Sequence, residues 1–346
     1  MEIIFYTSRG LCPYISSHSF PSVQLSLVHF YRLRHILPSI SLPTYTNNTV
    51  PTTWLILKDI QNPRSIKGLK KFDKIIASIP ENTEISIDDY LTFVRNSKVS
   101  YFLSFSEEST LKTGDKRGER SAKNAVEGLE KCLASKIPNL IANVQGGKDV
   151  SSRKWCLGVM VNSEADGIYF GGLGIEDNGL ELRNLLRSTC ENLKTYRKIA
   201  VLSGAGRPLD IFFAATLGFS HFESIWPFKL AGEGKALHFS FKNWTFSPIS
   251  EDSEYTEELL TLTDPQYKYQ KGPILEGCQC TTCQKHHRGY IFHLFQMKEM
   301  TAHTLVAIHN TWVYQEMINF IKDLKQTGRI DSAYSAFVVN CCVHPS

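Results

Sequence analysis

Cys278, Cys280 and Cys283 are three of the nine cysteines and fall together in one short stretch, Gly277-Cys278-Gln279-Cys280-Thr281-Thr282-Cys283. A C-x-C-x-x-C spacing lets three thiolates converge on one tetrahedral ion from a single loop, and a fourth ligand must then arrive from elsewhere. Zinc is the natural ion for such a donor set. The downstream donors are His286, His287, His293, His303 and His309. The first two would close the site only through a strained loop. A histidine at the far end of a helix returning over the loop would cross-link two elements, as structural zinc does, and this favours His309. With Cys278, Cys280, Cys283 and His309 as ligands the shell is closed to a catalytic water, so the expectation is one structural zinc ion.

Such a loop must be held by folded elements, and the chain has the length for them. Its 346 residues allow one large α/β domain with an appendage. A net charge of +4 permits a nucleic-acid partner without requiring one. The nine cysteines are odd in number and mostly scattered, as Cys12, Cys132, Cys156 and Cys190 are, which argues against a secreted disulfide framework and for a reducing compartment. No apolar run is long enough for a membrane-spanning helix. Residues 1–50 carry a single acid, Glu2, with Arg9, Arg32 and Arg34 among many serines. Two readings fit this segment. One is a presequence with an amphipathic helix over Ser22–Leu37. The other, which the strand-like Ile3-Ile4-Phe5-Tyr6 and the Cys12-Pro13 and Phe20-Pro21 breaks favour, is a folded strand and hairpin.

Beyond it, strand-like and helix-like stretches alternate. Strands are predicted at 53–57, 99–105, 140–144, 167–170, 199–203 and 221–225, and helices at 65–79, 86–96, 124–135, 180–193 and 208–217. Ser86 with Asp88 and Asp89 opens one helix and Pro208 another. About seven such strands with no G-x-G-x-x-G fingerprint predict an α/β fold of the (β/α)8 TIM-barrel type. Active sites of such barrels sit at the C-terminal strand ends, where this chain places Ser106 and Glu107, Gln145, Gly171 and Gly172, Gly204, and Glu223. The expected organisation is an N-terminal segment at 1–50, the barrel at 51–242, an exposed acidic insert at 243–275, and a zinc-binding subdomain with C-terminal helices at 276–346. Within that subdomain, a pair of helices is expected to join near His309.

The order of these motifs resembles the tRNA-guanine transglycosylases, zinc-bearing barrels that exchange a guanine in the tRNA anticodon for a modified base. The resemblance is carried by the cysteine loop, by Arg288-Gly289-Tyr290-Ile291-Phe292-His293-Leu294, and by His309-Asn310, where the family has its fourth zinc ligand. Val144-Gln145-Gly146, Gly171-Gly172-Leu173 and Ser203-Gly204-Ala205-Gly206-Arg207-Pro208 add to it. Roughly residues 85 to 325 are covered, with a weaker match over 3–20.

The family's chemistry, carried over by this resemblance, uses one carboxylate to attack the ribose anomeric carbon and a second for proton transfer. The segment matching the nucleophile is Ser220-His221-Phe222-Glu223-Ser224, so Glu223 stands where the family has aspartate and Ser220 replaces a neighbouring aspartate. An extra methylene displaces the carboxylate, and a misplacement of about 1 Å can cost about 10²-fold. Ser106 stands at the purine-binding aspartate, and the loop bearing the second catalytic carboxylate has no counterpart in the first hundred residues. Ser106, Gln145, Gly171 and Gly172 are then the remnants of a base pocket, vestigial rather than working. These departures match the family's eukaryotic accessory subunits, which pair with a catalytic queuine tRNA-ribosyltransferase subunit in a heterodimer that acts at the wobble position of tRNA. The resemblance further implies a cytoplasmic protein with peripheral association at the mitochondrial outer membrane. The competing expectation is an active enzyme with Glu223 as nucleophile and Glu107 or Glu108 as second carboxylate. Lys112, Lys116, Arg117, Arg120 and Lys123 form a charge run suited to phosphates, or simply a solvated helix start, since Asp115 and Glu119 interrupt it.

Overall fold

The structure is a computed structural model. It describes residues 84–97, 100–173, 179–204, 206–239 and 259–340, together with the strand backbones at 2–6, 22–26, 52–56 and 74–76. The chain divides into two compact units, one built from 2–205 and 217–224, the other from 206–216 and 225–346.

The first unit is the barrel. Its strands are β1 (Glu2–Tyr6), β2 (Ser22–Ser26), β3 (Thr52–Ile56), β6 (Tyr101–Leu103), β7 (Leu140–Val144), β8 (Gly167–Phe170), β9 (Ile199–Leu202) and β10 (His221–Ser224). They run parallel and close in the order β1-β10-β9-β8-β7-β6-β3-β2. Closure removes both sheet edges, so no backbone row is left unpaired. Leu103, Ile141, Tyr169 and Val201, one from each of four neighbouring strands, form a buried cluster. A small antiparallel pair, β4 (Lys74–Ile76) with β5 (Glu84–Ser86), lies outside the barrel order.

Four helices belong to this unit: α1 (Ile87–Ser97), α2 (Asp115–Ala134), α3 (Val150–Val161) and α4 (Gly179–Thr189). At the start of α1, Ser86 Oγ accepts from the Asp89 amide at 3.1 Å while Asp89 accepts from the Ser86 amide at 3.3 Å. Two amide donors are thereby satisfied reciprocally. Asp149 caps α3 by accepting from the Ser152 amide at 2.9 Å. Those hydrogen bonds from Ser152 lower its carboxyl below the ordinary value.

The second unit holds α5 (Pro208–Leu217), all but its last residue, then α6 (Trp226–Gly232), β11 (Lys235–Leu237) and β12 (Leu259–Thr261). These are followed by α7 (Thr281–Lys285), α8 (Arg288–Gln296), α9 (Met300–Gln326) and α10 (Ile330–Asn340). Its core includes Leu262, Ile274, Ile291, Ala302 and Val306, all fully buried. Among the described residues no helix is long and apolar enough to cross a membrane.

Several sequence expectations change. The barrel reaches back into 1–50: β1 and β2 pair with each other in parallel, so they are barrel strands and not a hairpin. Ser22–Ser26 is a strand, which leaves no helix over the first part of Ser22–Leu37, and the rest of that stretch lies outside the described residues. Residues 74–76, expected within a helix over 65–79, pair with 84–86 instead, because cross-strand bonding overrides a local 3.6-residue pattern. The helix α3 was not expected at all. The acidic stretch 243–275 is described only from 259 onward, where it pairs through β12 with β11 and buries Leu262, Tyr267 and Ile274, so that half is not an exposed insert. Finally, α9 runs unbroken through His309, and the helix junction falls at 297–299, where Lys298 takes φ 57°.

Burial pushes the thiols of Cys132, Cys156 and Cys190 up from 9.0 to about 11. The unfolded chain releases these protons first. The stability they contribute is therefore complete below pH 9 and lost as pH rises toward 11. Urea midpoints should fall between pH 8 and pH 10.5, and the fall should be smaller in Cys156→Ala; an identical fall would place the effect elsewhere.

Candidate functional site

Two sites emerge, one in each unit. In the second unit, the loop after Ile274 turns at Gly277, which takes φ 75°, and delivers Cys278, then Cys280 as N-cap of α7, then Cys283 within α7. Cys280 Sγ accepts from the Cys283 amide at 3.3 Å, so the short helix is built on a member of the cluster. From α9, His309 presents Nδ1 to all three sulfurs, at 3.7, 3.5 and 3.3 Å from Cys278, Cys280 and Cys283. All four donor atoms lie within 4.8 Å of one another, a cluster able to hold a metal ion. His309 is fully buried, and its other nitrogen meets the Leu237 carbonyl at 2.8 Å. That bond fixes the ring and its tautomer, leaving Nδ1 free to ligate. Hydrogen bonds with the Cys278 and Cys280 thiols pull the Cys283 thiol down, while hydrogen bonds with Cys278 first and then Cys283 push the Cys280 thiol up.

Three of the other candidate histidines are occupied differently, and His293 is exposed. His286 stacks on Tyr290, His287 caps α8 by accepting from the Tyr290 amide, and His303 meets the Ala231 carbonyl. Asn310, beside His309, is also fully buried: its Oδ1 accepts from the Leu237 amide and its Nδ2 donates to the carbonyls of Pro227 and Lys235. Consecutive residues of α9 thus tie the cysteine loop and β11 to one helix. Arg288 pins the approach to the loop by donating to the carbonyls of Pro273 and Ile274.

The barrel unit brings together four of the strand-end residues that the sequence singles out, Ser106, Gln145, Gly171 and Gly172. Gln145, after β7, is buried; its Oε1 accepts from the Ser109 amide at 3.0 Å and its Nε2 donates to Asn143 Oδ1 at 2.9 Å. Asn143 Nδ2 donates to Ser106 Oγ at 2.7 Å. Ser109 Oγ in turn accepts from the amides of Gly146 and Gly147 and from Ser121 Oγ. Gly171 and Gly172 lie against this network: a Cβ at Gly171 would meet Gln145 Nε2 at 2.5 Å, and one at Gly172 the Ser109 carbonyl oxygen at 2.0 Å. Arg153 of α3, fully buried, donates to the carbonyls of Gly147 and Gly171 and lies over the Phe170 ring. It staples the ends of β7 and β8.

Glu223, in β10, is buried and accepts a short hydrogen bond from Tyr169 OH of β8. Burial first, and then the Glu223 carboxylate, push the Tyr169 hydroxyl well above its ordinary range, so it stays a donor. Ser220 precedes β10 and bonds the Ala200 backbone, remote from the strand's C-terminal end. Glu107 forms an ion pair with Arg117 at 2.8 Å, and Lys123 pairs with Glu119, so two members of the basic run are already matched. Sequence patterns do not point to Ser109, Arg153 or Tyr169. The one visible signal was Asn143, a polar residue inside the apolar strand Leu140–Val144.

Comparison with known proteins agrees with this architecture. Residues 55–341 match the family described as queuine tRNA-ribosyltransferase. The chain is 25% identical to the queuine tRNA-ribosyltransferase accessory subunit 2 of Anopheles gambiae, over 92% of this chain and 78% of that protein. It is 24% identical to the protein of the same name from Aedes aegypti, over the same shares. The queuine tRNA-ribosyltransferase of Helicobacter acinonychis is 29% identical over 58% of this chain and 49% of its own length. The parallel barrel, the Cys3His cluster and a family match spanning most of the sequence lead to one conclusion: this chain belongs to the queuine tRNA-ribosyltransferase family.

Proposed function

We propose that this chain is a non-catalytic accessory subunit of a heterodimeric queuine tRNA-ribosyltransferase, supporting a catalytic partner that exchanges guanine for queuine at the wobble position of tRNA. The observation that carries the reading is Glu223. At the position matching the family's nucleophile it is buried and engaged by Tyr169 OH, a structural use of the carboxylate. The surroundings support it: Ser106, Asn143 and Gln145 spend their polar atoms on one another and on Ser109, the arrangement of a filled strand-end network. The names of the two mosquito relatives agree with an accessory role.

The ion assigned to the Cys3His cluster is zinc. Bond lengths of about 2.3 Å to sulfur and about 2.1 Å to nitrogen give tetrahedral edges of about 3.6–3.8 Å, close to the sulfur–nitrogen separations of 3.3 to 3.7 Å here. Bound there, zinc would cross-link the cysteine loop to α9. A role in holding tRNA is supported by Trp226, whose ring has Arg207 at 5.9 Å and Lys229 at 5.2 Å from its centroid, an aromatic with two cations near it of the kind that meets bases and phosphates.

The test is base exchange into a queuosine-type tRNA by the purified chain, alone and mixed with a catalytic homologue. No turnover alone, turnover on mixing, and a mixed rate changed less than about twofold by Glu223→Gln are expected. Glutamine can still accept from Tyr169, so the variant should fold. Turnover by the chain alone that Glu223→Gln abolishes would make Glu223 a working nucleophile and reject the proposal.

A further inference from the structure

Arg288, the first residue of α8, and Asn310, in α9, grip the backbone on the two sides of the Cys3His cluster. On the cysteine side, Arg288 Nε donates to the Pro273 carbonyl at 2.7 Å and Nη2 to the Ile274 carbonyl at 3.1 Å, while Nη1 donates to Gln270 Oε1 at 3.0 Å. A trans peptide sends its C=O and its N–H in opposite directions. With the carbonyls of these two consecutive peptide groups turned to Arg288, their amides, those of Ile274 and Leu275, face the other way, and both form hydrogen bonds with Cys283. The Leu275 carbonyl in turn accepts from the Cys278 amide at 3.2 Å, and Gln284 Nε2 donates to the Cys278 carbonyl at 2.8 Å. One guanidinium thus sets the backbone against which two of the three cysteines rest.

On the histidine side, Leu237 of β11 turns both its amide and its carbonyl toward α9, as a strand residue does toward one neighbour. The carbonyl meets His309 Nε2 at 2.8 Å, and the amide donates to Asn310 Oδ1 at 2.9 Å. Asn310 Nδ2 donates to the carbonyls of Lys235 at 3.0 Å and Pro227 at 3.2 Å, so three backbone groups hold a side chain that is fully buried. Asn310 therefore places the acceptor that orients the His309 ring. The two arms also meet: Arg288 Nη2 lies 3.5 Å from Nε2 of His238, the residue after Leu237.

We propose that Arg288 and Asn310 are positioning residues for the metal ion, each acting through a stretch of backbone, Arg288 on Cys278 and Cys283 and Asn310 on His309, and that together they set the affinity of the site. The inference rests on the assignment of a metal ion to the cluster and is independent of the accessory role. Residues that orient ligands without touching the ion typically contribute about 10–100-fold in metal affinity.

The test uses the full chain. Zinc affinity is measured by competition with a chromophoric chelator, and the cobalt-substituted protein is followed by visible absorption. Asn310→Asp keeps an acceptor for the Leu237 amide but turns its second oxygen on the carbonyls of Pro227 and Lys235. Arg288→Lys keeps the charge but loses the planar fork that spans two carbonyls. Each should weaken zinc binding by about 10–100-fold and shift the ligand-field bands of cobalt. Met317→Ala, at a buried position about two turns further along α9, should lower the Tm and leave both zinc affinity and the cobalt spectrum unchanged. Circular dichroism confirms that each variant is folded, and should Asn310→Asp not fold, Arg288→Lys, at a half-buried side chain, carries the test alone. If Arg288 and Asn310 only support the fold, their variants behave as Met317→Ala does, and wild-type zinc affinity in either one would overturn the proposal. A wild-type chain that takes up neither zinc nor cobalt would overturn the metal assignment itself and the proposal with it, so the two failures are told apart.

Discussion

Cys280→Ser should leave the purified protein without stoichiometric metal and lower its Tm by about 10 °C or more. Cys280 is fully buried, caps α7 and supplies one of only four donor atoms. Structural zinc in small peptides contributes about 10–16 kcal/mol of folding free energy. The second unit also has a hydrophobic cluster of its own, around Ile291 and Val306, so the loss should be partial. A loss of only about 4 kcal/mol, at about 2–4 °C per kcal/mol for domains of this size, already gives a drop of that order. Chelation of the wild type should reproduce the effect. Cys156→Ser, at a buried cysteine of the barrel unit outside the cluster, should retain the metal. Elemental analysis with thermal melts decides the matter. Full metal content in Cys280→Ser, or an unchanged Tm after chelation, would mean that the cluster does not hold this unit together.

Gly172→Ala should destabilise the barrel unit by about 2–5 kcal/mol without reducing base exchange per folded complex with the proposed catalytic partner. Gly172 takes φ 74°, where an L side chain costs roughly 1–2 kcal/mol. Its Cβ would also sit 2.0 Å from the Ser109 carbonyl oxygen and 3.0 Å from Gln145 Oε1. The Ser109 loop would have to move, and overpacking of that kind costs about 1–3 kcal/mol. The two measurements separate structure from function at one residue. If the strand-end network only holds the fold, the Tm falls and the exchange rate of the assembled pair is kept. A rate that collapses while assembly and folding persist would show that this pocket takes part in the reaction.

Local pattern and chemistry carried well where the signal was itself local. The strands Leu140–Val144 and Gly167–Phe170 were legible to the residue, because continuous apolar runs bounded by turns are what a doubly covered parallel strand needs. Helix α3 was not legible. The residues it buries, Ser152, Arg153, Cys156, Leu157 and Met160, do follow a helical spacing, but the first two are polar and no hydrophobic pattern assigns them to a core. Arg153 is tolerated there because two backbone carbonyls and an aromatic face receive its charge, all supplied by other elements. The strand β4 failed as a prediction for a related reason: its pairing partner lies in a separate segment, and pairing outweighs propensity.

By itself, then, the sequence determined the barrel class, through the recurrence of strand and helix. It also pointed to the Cys3His cluster: three cysteines on one loop leave little freedom, and His309, preferred among five downstream histidines, is the one that the structure brings to them. Only the tertiary structure decided what the strand ends do. The links from Ser109 to Gln145, from Ser106 to Asn143 and from Tyr169 to Glu223 join residues 36, 37 and 54 positions apart. Such hydrogen bonds depend on geometry of a few tenths of an ångström, which barrel closure sets and residue spacing does not encode.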